Sequence, residues 1–336
     1  MKRIVLTMLF GSLGMASMGQ TTWNESSEVE ERPLFTEHFS KEEFAERRST
    51  VYDAIGEEAV ALIQGAPMPM GFEAFRQNNE FYYLSGVESP FAYLLLDGAS
   101  KEATIYVQDR NERREYNEGK MLSYQDAELI ISLSGLEHVK HIDELREDIA
   151  AYGSESDAWT FYTPMSAYEN LKVTRSMARR TLADRELDPM DERPGRHFEF
   201  MAHLEELAPS IDIQNLDPII DEMRKIKSDA EIELIEWSTH RQGEAILEAM
   251  RSTTPGVTAS ELEATSRYIF WKNGIEEEAY YALIHIGPDA FMNHYHNSER
   301  PARPGDMILM DYGPVYEYYT SDMARMWPVN GTFNPV

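Results

Sequence analysis

Three Ser/Thr-x-x-Glu capping boxes, at Ser40–Glu43, Ser228–Glu231 and Thr258–Glu261, fix where three helices of this chain must begin. In such a box the hydroxyl accepts from the third backbone N–H, and the glutamate reaches back to the first, so two orphan donors are satisfied at once. The first helix is expected to run to about Ala54. The second should reach about Arg251, with Ile232, Ile235, Ile246 and Ala249 on one face, before Thr254-Pro255-Gly256 breaks the chain. The third should stop at Asn273-Gly274. Between the first two boxes, apolar runs predict strands at Ala59–Ile63, Phe81–Leu84, Ala92–Leu96, Ala103–Val107 and Trp159–Thr163. Helices are expected near Tyr124–Ile130, His141–Tyr152 and Phe198–Leu207. The stretch from Leu182 to His197, with Pro189, Pro194 and Gly195 among charges, reads as an exposed loop. After the third helix the chain turns to β, over Ala279–Ile286, Asp306–Asp311 and from Tyr316 onward. The expected fold class is a two-domain α/β chain, residues 40–220 and 221–336, with the junction near Asp217–Lys227.

The N-terminus has a different character. Lys2 and Arg3 precede an apolar run from Ile4 to Phe10, and small residues follow at Gly14, Ala16, Ser17 and Gly19. That order describes a secretory signal peptide cut after Gly19, which implies a periplasmic or secreted protein. Residues 20–39 then form a polar, Glu-rich lead-in. The run is too short to span a bilayer, and no later segment is long enough. Acidic residues outnumber basic ones 59 to 31, for a formal net charge of -28, which argues against nucleic-acid and anionic-membrane partners. The absence of cysteine removes disulfide scaffolds, thiol nucleophiles and cysteine-metal sites.

Chemistry concentrates in residues 305–326, GDMILMDYGPVYEYYTSDMARM. An apolar run, Met307–Met310, delivers Asp311 at its end, and Asp322 follows eleven residues later. A hairpin centred between Tyr316 and Glu317 would set the two aspartates directly opposite, on one face, with Cβ atoms about 4.5–5.5 Å apart. Two carboxylates so placed repel unless a cation lies between them, and oxygen donors suit Mn, Mg or Ca, or zinc if histidine joins. A solvated face, or Arg325 pairing with one aspartate, would also account for the pattern. Pro314 is awkward inside such a hairpin.

The segment from His294 to Gly331 resembles the core of the pita-bread metallopeptidases, and within them the aminopeptidase P (Xaa-Pro aminopeptidase) group. The matching pieces are His294-Tyr295, Asn297, Gly305-Asp306, Asp311-Tyr312-Gly313, Ser321-Asp322, Arg325 and Pro328-Val329-Asn330-Gly331. Upstream, Phe75-Arg76-Gln77-Asn78 with Phe81-Tyr82-Tyr83-Leu84-Ser85-Gly86 resembles the group's N-terminal domain, and Arg224-Lys225-Ile226-Lys227-Ser228 with Glu231-Ile232 its domain junction. The resemblance implies an aminopeptidase P-type N-terminal α/β domain followed by the first half of a pita-bread α+β catalytic domain. It further implies two divalent metal ions, usually Mn(II), with Asp311 binding one and Asp322 bridging both. His294 would lie beside the substrate as a catalytic residue, while His285 and His296 have no assigned role. The ions would hold a shared water that attacks the scissile carbonyl of peptides with proline in second position.

The group completes its site with a histidine and two glutamates later than Asp322, and this sequence has none in its last 14 residues. The expectation is therefore of a fragment that is inactive alone, with Ala324 standing where the group carries threonine. A prolidase or creatinase-like hydrolase on the same fold, or a non-catalytic binding module, remain alternatives. Peptides with an Xaa-Pro N-terminus are the expected partners, and a homo-oligomer is compatible with the sequence.

Overall fold

The computed structural model describes residues 33–71, 73–154, 159–166, 172–185, 187–190, 194–275, 277–296 and 299–333. The expected signal peptide, and the lead-in up to residue 32, lie outside the described residues. So does Asn297 of the histidine motif. Residues Leu34–Val336 form one compact unit.

Helix α1 (Lys41–Ile55) leads to β1 (Ala59–Gln64), α2 (Asn79–Ser85), β2 (Tyr93–Asp97) and β3 (Glu102–Val107). Then come α3 (Glu112–Glu118), α4 (Ala127–Ser134), β4 (His138–His141), α5 (Leu145–Ser154) and β5 (Thr160–Thr163). Helices α6 (Arg175–Arg185) and α7 (Arg196–Leu207), strand β6 (Asp212–Asn215) and α8 (Asp217–Lys225) complete this half. Its strands build one mixed sheet in the order β4-β3-β2-β1-β5-β6. Both faces of the sheet are covered, which explains why β1 reads as an unbroken apolar run. Ala59, Ala61 and Ile63 pack with α1, α2, α4 and α8, whereas Val60 and Leu62 pack with α5 and α7.

Phe81–Leu84 is a correction: it is helical, inside α2, and entirely buried. A short apolar run bounded by turn residues looks the same as a buried strand and as a buried helical turn. Gly86, at φ 67° in the left-handed region, stops it. The supposed loop at 182–197 is also cut into at both ends, by α6 and α7. Strands β4 and β6 and helices α3 and α6 had no clear sequence signal, because they carry few buried residues.

The second half starts with α9 (Asp229–Ser252) and α10 (Ala259–Lys272), both with complete capping boxes. At α1, Ser40 accepts from the Glu43 N–H as expected. The Glu43 carboxylate, however, accepts from Ser228 Oγ and Arg47 rather than closing its own box, and so joins α1 to the start of α9. The buried stripe of α9 is Leu234, Ser238, Gln242, Ala245, Ile246 and Ala249; Ile232 is exposed. Strands β7 (Glu277–Glu278), β8 (Leu283–Ile286), β9 (Met307–Asp311), β10 (Pro314–Tyr316), β11 (Tyr319–Thr320) and β12 (Ala324–Pro328) follow. They form two three-stranded sheets, β11-β10-β7 and β12-β9-β8. One face of the latter, through Ile284, Ile286, Ile308 and Met310, packs on α9 and α10. Among the described residues, no helix is long and apolar enough to cross a membrane.

Candidate metal centre

Asp311 ends β9, and Asp322 lies in the break between β11 and β12. The register differs from the expected hairpin. The turn residues are Glu317 and Tyr318, Tyr316 pairs with Tyr319, and Asp311 stands opposite Ala324 instead of Asp322. A slip of two residues preserves the side-chain face, where a slip of one would have reversed it. Asp311 and Asp322 therefore still converge. Pro314 is accommodated because it opens β10, where its missing N–H is not needed.

Two side chains of α9 set these strands. Gln242 donates from Nε2 to the carbonyl of Tyr312, beside Asp311. Ser238 shares a buried 3.1 Å hydrogen bond with Ser321, beside Asp322. Between them Gly313 lies against the chain it must face: a Cβ there would sit 1.9 Å from the Ser321 carbonyl oxygen.

The structure adds a residue that sequence reading missed. The Tyr280 hydroxyl lies 2.6 Å from Asp311 Oδ1 and 2.8 Å from Asp322 Oδ1. Burial, then the hydrogen bonds and charges of the two aspartates, hold its phenol well above the usual tyrosine range, so it stays protonated. A phenol has one proton and can donate to one carboxylate at a time. Three oxygens thus crowd a site that is short of positive charge, and neither aspartate has a cationic partner among the described residues. Arg325 turns away and donates to the carbonyl of Ala324. Hard oxygen donors in this state fit a divalent cation. Among the described residues no group of three or more His, Cys, Asp or Glu side chains could hold a metal ion. Nothing in the apolar run around Tyr280 marked it; only the fold carries it across to the aspartates.

The three histidines differ sharply. His294 is exposed on a turn whose backbone carbonyl accepts a 3.4 Å hydrogen bond from Tyr281, and no hydrogen bond links its imidazole to either aspartate. His296 packs its ring on Tyr281 at 4.3 Å. His285 is fully buried in β8, with Nε2 3.1 Å from the Asn293 carbonyl and Nδ1 unpartnered.

Comparison with known proteins defines the class first. Residues 233–336 match the model of metallopeptidase family M24, and residues 44–162 match that of the aminopeptidase P N-terminal domain. Xaa-Pro aminopeptidase of Escherichia coli is 25% identical over 301 residues, covering 88% of this chain and 63% of the relative. Xaa-Pro dipeptidase of Pyrococcus horikoshii is 26% identical over 251 residues, covering 74% and 57%. The fold of proline aminopeptidase P II from Yersinia pestis superposes with a TM-score of 0.70 at 24% identity, covering 88% of this chain and 65% of that one. The chain matches the aminopeptidase P group of the M24 metallopeptidases in both of its parts, an N-terminal domain followed by a pita-bread catalytic domain. It spans less than two thirds of the length of these relatives.

Proposed function

We propose that this protein acts as an Xaa-Pro aminopeptidase, releasing the N-terminal residue from peptides with proline in second position. One observation carries the reading within the site: two carboxylates, Asp311 and Asp322, share a single phenolic donor, Tyr280, and have no cationic partner among the described residues. Asp311 and Asp322 would hold divalent ions, with Mn(II) favoured by the resemblance and Asp322 as the bridging ligand. Such ions, when bound, supply Lewis acidity and lower the pKa of water. Tyr280 donates to one aspartate at a time and, standing within reach of both, holds the pair in place. The exposed imidazole of His294 is free to hydrogen-bond a substrate, a contribution of about 10²–10⁴-fold in rate for a positioned acid or base.

Two carboxylates alone hold a metal weakly, so the 336-residue chain by itself is expected to bind Mn(II) poorly and to hydrolyse peptides negligibly. The test is a chimera in which residues 1–336 are followed by the C-terminal third of the Escherichia coli relative. With Mn(II), it should release arginine from Arg-Pro-Pro, and Asp322→Asn should abolish this while removal of the His294 imidazole reduces it. An Asp322→Asn chimera that keeps most of its kcat would refute the reading. Preference for Xaa-Pro dipeptides over longer peptides would point instead to the activity for which the Pyrococcus horikoshii relative is named. We further propose export and cleavage after Gly19; N-terminal sequencing of the secreted protein should begin at or near Gln20.

A further inference from the structure

The tight turn between Asp311 and Asp322 has the wrong residues for its shape. Two-residue hairpin loops of this kind need φ > 0 at both positions, which is why Asn-Gly and Asp-Gly are preferred. Here Glu317 and Tyr318 occupy them, at φ 46° and 72°. A bulky side chain in the left-handed region is disfavoured and persists only where its surroundings over-determine it.

Those surroundings are visible. The Tyr318 ring stacks on Tyr82 of α2, with centroids 3.6 Å apart and planes 8° from parallel. The Arg76 guanidinium caps the ring at 4.2 Å. The hydroxyl accepts from the Gln77 N–H at 2.8 Å and donates to Glu88 Oε1 at 2.6 Å. The socket is rigid, since Gln77 is buried and its amide is tied to Ala66 and Ser89. All four socket residues belong to or adjoin the Arg76–Gly86 motif of the N-terminal half, for which the proposed chemistry has no use. The flanking tyrosines are held as well: Tyr316 stacks on Trp237 at 4.1 Å, and the Tyr319 hydroxyl donates to Glu231.

We infer that Tyr318 is a positioning residue: inserted in the Arg76–Gln77–Tyr82–Glu88 socket, it holds the hairpin in its left-handed turn and thereby sets the spacing of Asp311 and Asp322. The N-terminal half is then a jig for the metal site. Only the metal-binding consequence rests on the proposed function; the spacing itself does not.

The test reads the Tyr280 ζ-carbon resonance of the 336-residue chain with ¹³C-labelled tyrosine and without metal, then the Mn(II) affinity of the chimera by water-proton relaxation. Asp322→Asn assigns the resonance change that marks a broken Tyr280 contact. Tyr318→Gly, which suits the turn but empties the socket, should shift the Tyr280 resonance toward that of Asp322→Asn and weaken Mn(II) binding at least tenfold. Tyr318→Phe, which keeps the stack and loses both hydroxyl bonds, should move the resonance the same way by less and restore most of the affinity. A plug that merely adds stability would lower the unfolding midpoint and leave both signals in place. If neither Tyr318→Gly nor Tyr318→Phe moves the Tyr280 resonance, the inference is wrong. If the resonance moves but the chimera shows no Mn(II) binding, the positioning role stands and the metal reading falls.

Discussion

Gly313→Ala should open the hairpin that carries the two aspartates. Gly313 sits two residues after Asp311, and a methyl group there would meet the Ser321 carbonyl oxygen at 1.9 Å and its carbon at 3.0 Å. Optimal non-bonded contact between heavy atoms lies near about 3.5 Å, so the two strands must part by at least about 1 Å. The obstacle is backbone, which cannot swing aside as a side chain can. Relaxation must also strain the buried Ser238–Ser321 bond and the bond from Gln242 to the Tyr312 carbonyl. Overpacking of a well-ordered interior costs about 1–3 kcal/mol. The upper half of that range is expected here, because two buried hydrogen bonds share the displacement. Urea unfolding followed by tryptophan fluorescence should show a lower midpoint with an unchanged slope, since the surface exposed on unfolding is the same. Hydrogen exchange should locate the loss at residues 312–322. An alanine variant within about 0.5 kcal/mol of the parent, the range of ordinary surface substitutions, would refute the close approach and the geometry of the site built on it.

Gln242→Leu should destabilise the chain by about 1–3 kcal/mol, because it leaves the buried Tyr312 carbonyl without its donor; chemical denaturation measures it. Acid should weaken the N-terminal half through Asp126. Burial alone would raise its pKa, but hydrogen bonds from Lys120 and Ser123, with the charges of Lys120 and Arg110, bring it below the usual carboxylate range. A depressed folded-state pKa contributes stability that is present above the unfolded value and lost as pH falls through the folded one. The destabilising effect of Asp126→Asn should therefore diminish as pH falls below the ordinary aspartate value of about 3.9, and an effect that stays constant through that range in unfolding experiments would contradict the assignment.

The helix starts were legible because capping is local: Ser228 and Glu231, like Thr258 and Glu261, bond each other's backbone within one turn. Both aspartates were legible too, since an apolar run delivering Asp311 constrains its strand whatever the partner, and the motifs about them are contiguous in sequence. The register was not. It depended on Glu317 and Tyr318 adopting a left-handed turn that their own chemistry disfavours, and only the socket of Arg76, Gln77, Tyr82 and Glu88 makes that turn available. Likewise α2 reads as a strand until its apolar residues are seen buried on several sides. Tyr280 gains its place between the aspartates from the way β8 and β9 pair. Local hydrogen bonds set where α1, α9 and α10 begin, and contiguous motifs set where the acids fall along the chain. The proton shared by two carboxylates, and the distance between them, arise from contacts between residues far apart in sequence, which only the tertiary structure decides.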